Sequence, residues 1–153
     1  MNEQILYGRP LPGAQLNMAH PLTKGLVGAW LLNENGGMRA MDISPYQNHG
    51  TLKGFTGTMR RSFDGVHFAG AQYIDCGVIP IVQTGIAPGM TIECWIKSDN
   101  VDFVGVTPLL SKGDKWAIDI QGAASDELRF LTTTGGSVGV LTAAWVKQQW
   151  QHL

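Results

Sequence analysis

Apolar and polar side chains alternate with a period of two in the middle of this chain. Met90, Ile92, Cys94 and Ile96 interleave with Thr91, Glu93, Trp95 and Lys97. Successive side chains of a β-strand point to opposite faces, so this spacing gives one core face and one outward face. The alternation returns with Trp116, Ile118 and Ile120 against Ala117, Asp119 and Gln121, and again with Leu128 and Phe130 against Arg129. Gly113, Gly122 and Gly135-Gly136 fall between these segments. Short alternating segments with glycine turns predict an all-β chain built of antiparallel strands. Parity predicts that Trp116 is core, and that Trp95, which shares a face with Glu93 and Lys97, is exposed on a sheet face. The 20 glycines and 7 prolines among 153 residues are half again the usual share of about 12%, as a turn-rich fold requires. Only 15% of residues are charged, against about 25% in ordinary proteins, which excludes coiled coils and charged disordered tails.

The remaining segments fit the same class. Residues 1–21 carry Pro10, Pro12 and Pro21 with no sustained period and read as an extended lead-in arm; residues 22–153 form the domain. The apolar run 25–32, closed by Asn33-Glu34-Asn35-Gly36-Gly37, predicts a strand buried on both faces. Residues 42–50 read as a polar turn segment, Thr51-Leu52 as a short strand, and 138–153 as strand, turn, strand. The formal charge of −1 provides no electrostatic footprint for nucleic acid or anionic lipid. No signal peptide is read in the first twenty residues, and the longest apolar run is far below the roughly 18 residues that span a bilayer. Cys76 and Cys94 lack C-x-x-C spacing and are expected to be two reduced thiols. Trp150-Gln151-His152-Leu153 reads as the start of a strand with nothing after it, so the chain is expected to be cut inside its domain.

Five segments in order carry a family resemblance. They are Gly25-Leu26-Val27-Gly28-Ala29-Trp30 with the 33–37 turn, Asp42-Ile43-Ser44-Pro45-Tyr46-Gln47-Asn48-His49-Gly50-Thr51-Leu52, Phe63-Asp64-Gly65 through Tyr73-Ile74-Asp75, the strand 90–97, and Trp150-Gln151-His152-Leu153. Together they resemble the laminin G-like domains of the concanavalin A-like lectin and glucanase superfamily, over about residues 21–153. The resemblance implies an antiparallel jelly-roll β-sandwich of two sheets, here incomplete at its C-terminus, because such domains continue well past the tryptophan and histidine strand. The lead-in from Arg9 to Leu22 also resembles the start of such domains in phage and prophage structural proteins.

Three chemistries can be weighed on the residues. Gly135-Gly136-Ser137-Val138-Gly139 satisfies G-x-S-x-G, but no Asp or Glu follows Glu127 and only His152 lies downstream, so the acid and base of a hydrolase triad are not both supplied. A glycine-rich hairpin turn is expected instead. The closely spaced strand carboxylates of the glucanase branch are also missing, since Glu3, Glu34, Glu93 and Glu127 are isolated in sequence. A glycosidase is therefore the least favoured reading. Many laminin G-like and pentraxin relatives bind calcium, and Asp42, with Ser44 and Asn48 in one turn, has oxygens for part of such a shell. The same order also suits an Asx turn that hydrogen-bonds its own backbone. Both readings stand on the sequence. The histidines have no zinc-ligand spacing.

Sugar recognition needs aromatic faces beside amides or carboxylates. Trp95 on its polar strand face, and Tyr46 and Phe103 in turn or loop segments, are the candidate platforms. The resulting expectation is a non-catalytic carbohydrate-binding or adhesive module of a larger extracellular or virion protein. Its partner would be a glycan or cell-surface polysaccharide, with calcium ordering the loops. The alternative is a structural β-sandwich of a phage tail or capsid without glycan affinity, packed against a protein partner.

Overall fold

A computed structural model describes residues 10, 13–34, 36–56, 61–62, 65–79, 90–98, 106–113, 115–121, 127–132, 136–141 and 148–153. Among them the chain is all-β: every sheet is antiparallel, and the only helical element is a single 3-10 turn, Pro21–Thr23. Two compact units divide the chain, Met1–Ile81 and Val82–Leu153. The division falls inside the segment 22–153 that the sequence presents as one domain.

In the first unit, β1 (Arg39–Ala40), β2 (Gly50–Lys53) and β5 (Tyr73–Asp75) form a sheet in the order β1-β2-β5. β3 (Arg61–Ser62) and β4 (Gly65–Val66) pair separately. The strict alternation of β2, buried at Gly50 and Leu52 and exposed at Thr51 and Lys53, sets the inward face. Ala40 and Leu52 are the buried centre, and Trp30, Leu32, Phe55, Val66 and Ile74 pack around them. Gly50 is dictated by this packing, because a Cβ there would collide with the Ile74 side chain. Residues 17–24, at the end of the lead-in, are drawn into successive turns: His20 N–H donates to Asn17 O, and Lys24 N–H to Pro21 O.

The apolar run 25–32 departs from the expected double-buried strand. Its described strand-type pairing is limited to an isolated bridge, Trp30 to Asp42, and the Ile43 N–H to Ala29 O bond, and all its residues from Leu26 on are half-buried. Leu32, at φ 53°, is in the left-handed region, so the run cannot continue as a strand into the 33–37 turn. Its hydrophobicity serves the edge of the small core instead.

In the second unit, β7 (Val106–Lys112), β8 (Trp116–Gln121), β9 (Glu127–Thr132) and β10 (Gly136–Leu141) form a sheet ordered β10-β9-β8-β7, each strand beside its sequence neighbour. β6 (Trp95–Ile96) pairs with β11 (Gln151–His152). The inward face carries Ile120 and Leu128, against which Ile96, Leu109, Ile118 and Leu153 pack. The β6–β11 ribbon thus lays Ile96 and Leu153 onto the four-stranded sheet. Trp116 is buried as parity requires and stacks on Phe130, with ring centroids 6.3 Å apart.

Two features of this sheet differ from expectation. Asp119, assigned by alternation to a polar face, is buried. Directly opposite it on β9 is Arg129, whose Nε and Nη2 donate to the two carboxylate oxygens at 2.8 and 3.1 Å. Cross-strand neutralisation lets a charged pair occupy a covered position. A hairpin does join β9 to β10, but residues 136–139 of the G-x-S-x-G segment already lie within β10, paired to β9 with a register shift between Ser137 and Gly139, while Gly135 lies outside the described residues.

Candidate functional site

The first unit gathers Asp42, Asn48 and Tyr46 in one loop. Asp42 is 2% exposed, and its carboxylate is the hub of the loop. Oδ1 accepts from Ala29 N–H and Ser44 N–H, each at 2.8 Å, and Oδ2 accepts from Ser44 Oγ and Asn48 N–H, each at 2.8 Å. The Ser44 N–H bond is an Asx turn. The remaining bonds tie that turn to the run 27–30: Trp30 Nε1–H donates to Asn48 O at 3.1 Å, and the Asn48 amide donates to Val27 O at 3.4 Å. On the opposite side, Asp42 N–H donates to His49 Nδ1 at 3.0 Å. Burial pushes the Asp42 carboxyl up, but the hydrogen bonds from Ala29, Ser44 and Asn48 outweigh it and hold it below its ordinary value.

A carboxylate offers about four lone-pair sites, and four donors use them here. As folded, the turn therefore does not present Asp42 to a calcium ion, which would have to displace backbone N–H groups that have no other described acceptor. Among the described residues, no group of three or more His, Cys, Asp or Glu side chains is placed to hold a metal. What the knot does present is Tyr46, 54% exposed, on the turn whose N–H donates to Ser44 Oγ at 3.3 Å. Gln47, at φ 52°, closes that turn in the left-handed region.

The second unit holds the other aromatic candidate. Trp95 is 67% exposed on the outer side of β6, while its neighbour Ile96 packs inward. Register places His152 directly opposite Trp95, and the ribbon is extended by Cys94 and Leu153, which exchange backbone bonds of 3.1 and 2.9 Å. Non-bonded side chains facing each other across a ribbon make contact, and here the indole and imidazole stack with centroids 5.0 Å apart and planes inclined by 27°. Glu93, two residues before Trp95 and so on the same side, has its Oε2 4.0 Å from His152 Nε2 and a side chain 70% exposed. Lys97 is exposed two residues beyond Trp95. Trp150, two residues before His152, is also exposed.

Of the sequence candidates, Tyr46, Asp42 and Asn48 thus share one loop, Trp95 belongs to the other unit, and Phe103 lies outside the described residues. His152 and Glu93 were not legible as partners of Trp95. The signal was present in the alternation of Gln151 and His152 against Trp95 and Ile96, but pairing two segments so far apart in sequence requires knowing the register. Comparison with protein-family models, with curated proteins and with solved structures returns no match.

Proposed function

We propose that this chain is a non-catalytic carbohydrate-binding or adhesive module on a laminin G-like jelly-roll sandwich, carried by an extracellular or virion protein. The observation that carries the reading is the Trp95 face: a large indole, mostly solvent-exposed, stacked against His152 and flanked by a carboxylate. Exposed aromatic faces cost little conformational entropy on binding when they are already immobilised. The apolar side of a pyranose can stack on such a face while neighbouring polar groups receive its hydroxyls. The ribbon packed over a four-stranded sheet supports the sandwich architecture, and the order of the five sequence segments supports the family.

The test is a glycan array probed with the full chain and with Trp95→Ala. Binding to a defined subset of glycans that is lost in the variant is the expected result. A uniformly blank array refutes the reading and leaves a structural β-sandwich that engages protein neighbours.

A further inference from the structure

We propose that the Trp95 face is a subsite for an amino sugar, a pyranose carrying a free ammonium group, with the ring on Trp95 and the ammonium on Glu93. The inference rests on the glycan-binding reading and adds the chemical class of the ligand.

Three observations lead to it. One face of the Trp95 indole is taken by the His152 imidazole, with planes inclined by 27°, while the residue remains 67% exposed. A planar surface is thus open to a ligand, backed by the imidazole.

Second, Glu93 shares that side of the ribbon. Its Oε2 is 4.0 Å from His152 Nε2, beyond hydrogen-bond distance. The carboxylate therefore keeps acceptor capacity for a ligand. Alternate residues of a strand are about 6.8 Å apart, comparable to the width of one pyranose with its substituent, so one sugar can cover Trp95 and reach Glu93.

Third, the charges are ordered along the face, with Glu93 on one side of Trp95 and Lys97 on the other. An ammonium is attracted to the Glu93 end and repelled from the Lys97 end, which sets a direction for the bound sugar. A neutral hexose would gain the stacking but not the charge-assisted hydrogen bond, which is roughly twice as strong as a neutral one. An N-acetylated sugar loses the charge and adds bulk where the carboxylate sits.

The experiment is calorimetric titration of the full chain with three oligomers of matched length: glucosamine tetramer, its fully N-acetylated counterpart, and tetralysine. Wild type, Glu93→Gln and Trp95→Ala are compared, and unchanged thermal unfolding of both variants shows that the fold is intact. The glucosamine tetramer is expected to bind about tenfold or more tighter than the N-acetylated one, a difference of one charge-assisted hydrogen bond. Glu93→Gln should abolish that preference while leaving the N-acetylated oligomer unaffected, and Trp95→Ala should abolish binding of both. A preference that survives Glu93→Gln, tighter binding of the N-acetylated oligomer, or tetralysine binding as tightly as the glucosamine tetramer overturns the amino-sugar assignment. In each of those cases glycan binding detected on the array keeps the underlying reading intact, whereas a blank array removes both.

Discussion

Replacing Asp42 by alanine tests the knot that organises the first unit. The substitution removes the acceptor of four bonds of 2.8 Å, two of them within the buried Ser44. Each buried donor left without an acceptor costs about 1–3 kcal/mol. The donors of Ala29 and Asn48 are only partly buried and recover some of the loss from water. Removing a buried charge also relieves its desolvation. The net expectation is a destabilisation of about 3–5 kcal/mol, a large share of the 5–15 kcal/mol typical of a domain. Asp42→Asn keeps one oxygen for Ala29 and Ser44 but sets an N–H₂ against the Asn48 N–H, and should cost about 1–3 kcal/mol. Urea denaturation followed by fluorescence of a variant that keeps Trp30 as its sole tryptophan, at the edge of this knot, measures both. With an m-value of about 1–3 kcal/mol per molar, the alanine variant should lose on the order of 2 M in its midpoint. A midpoint within about 0.5 M of wild type would show that the four bonds do not hold the loop. The acid limb supplies an independent check. The folded-state carboxyl lies below its ordinary 3.8, so its stabilisation is fully present above that pH and is lost as pH falls through the folded value. The gap between wild type and Asp42→Asn should therefore narrow below about pH 4 and stay constant above it.

Other consequences can be measured alongside. Asp119→Ala strips the partly buried Arg129 guanidinium of its bidentate carboxylate and should destabilise by about 2–4 kcal/mol, while a double replacement of Asp119 and Arg129 by apolar residues should cost less than the single one; equal costs would show the pair is not coupled. The Cys76 thiol is pushed up to about 11 by burial and by the charges of Asp75 and Asp42, so at pH 8 its alkylation should run on the order of a hundredfold slower than that of a free thiol and accelerate only toward pH 11. Labelling at the free-thiol rate would contradict that burial. Because the Asp42 carboxylate is already saturated by donors, millimolar calcium or a chelator should leave the melting temperature unchanged; a rise of several degrees with calcium would mean that the knot opens to receive the ion.

Period-two alternation made the strand content and the exposure of Trp95 legible, because a two-fold repeat in side-chain direction is a local property of the backbone. The Asx geometry at Asp42 was equally local, since Asp, Ser and Asn in that order can satisfy their own turn. Asp119 was misassigned for the opposite reason. Its burial depends on Arg129 ten residues later, and alternation says which face a residue takes without saying what neutralises it there. The run 25–32 looked like a strand by hydrophobicity alone, yet its fate was decided by Leu32 entering the left-handed region and by the reach of the Asp42 carboxylate to Ala29. The G-x-S-x-G segment signals a hairpin, but glycine marks turns and bulges alike, and only pairing with β9 shows where the turn ends and β10 begins.

The two-residue pairing of β6 with β11 also orders events during folding. Each strand of the β7–β10 meander contacts its neighbour in sequence and can zip locally, whereas joining Ile96 to Gln151 closes a loop of roughly 55 residues, at an entropic cost of about 3–4 kcal/mol. Among the described residues, two residue pairs, the Cys94–Leu153 bonds, the Gln148 N–H to Ser98 O bond and the packing of Ile96 and Leu153 offset that cost, so the expected order is meander first and ribbon second, with the ribbon the first of the two to open. Trp95 and His152 meet only in that last step. Their stacked surface is therefore expected to report the closing of the second unit's ribbon rather than the formation of its meander.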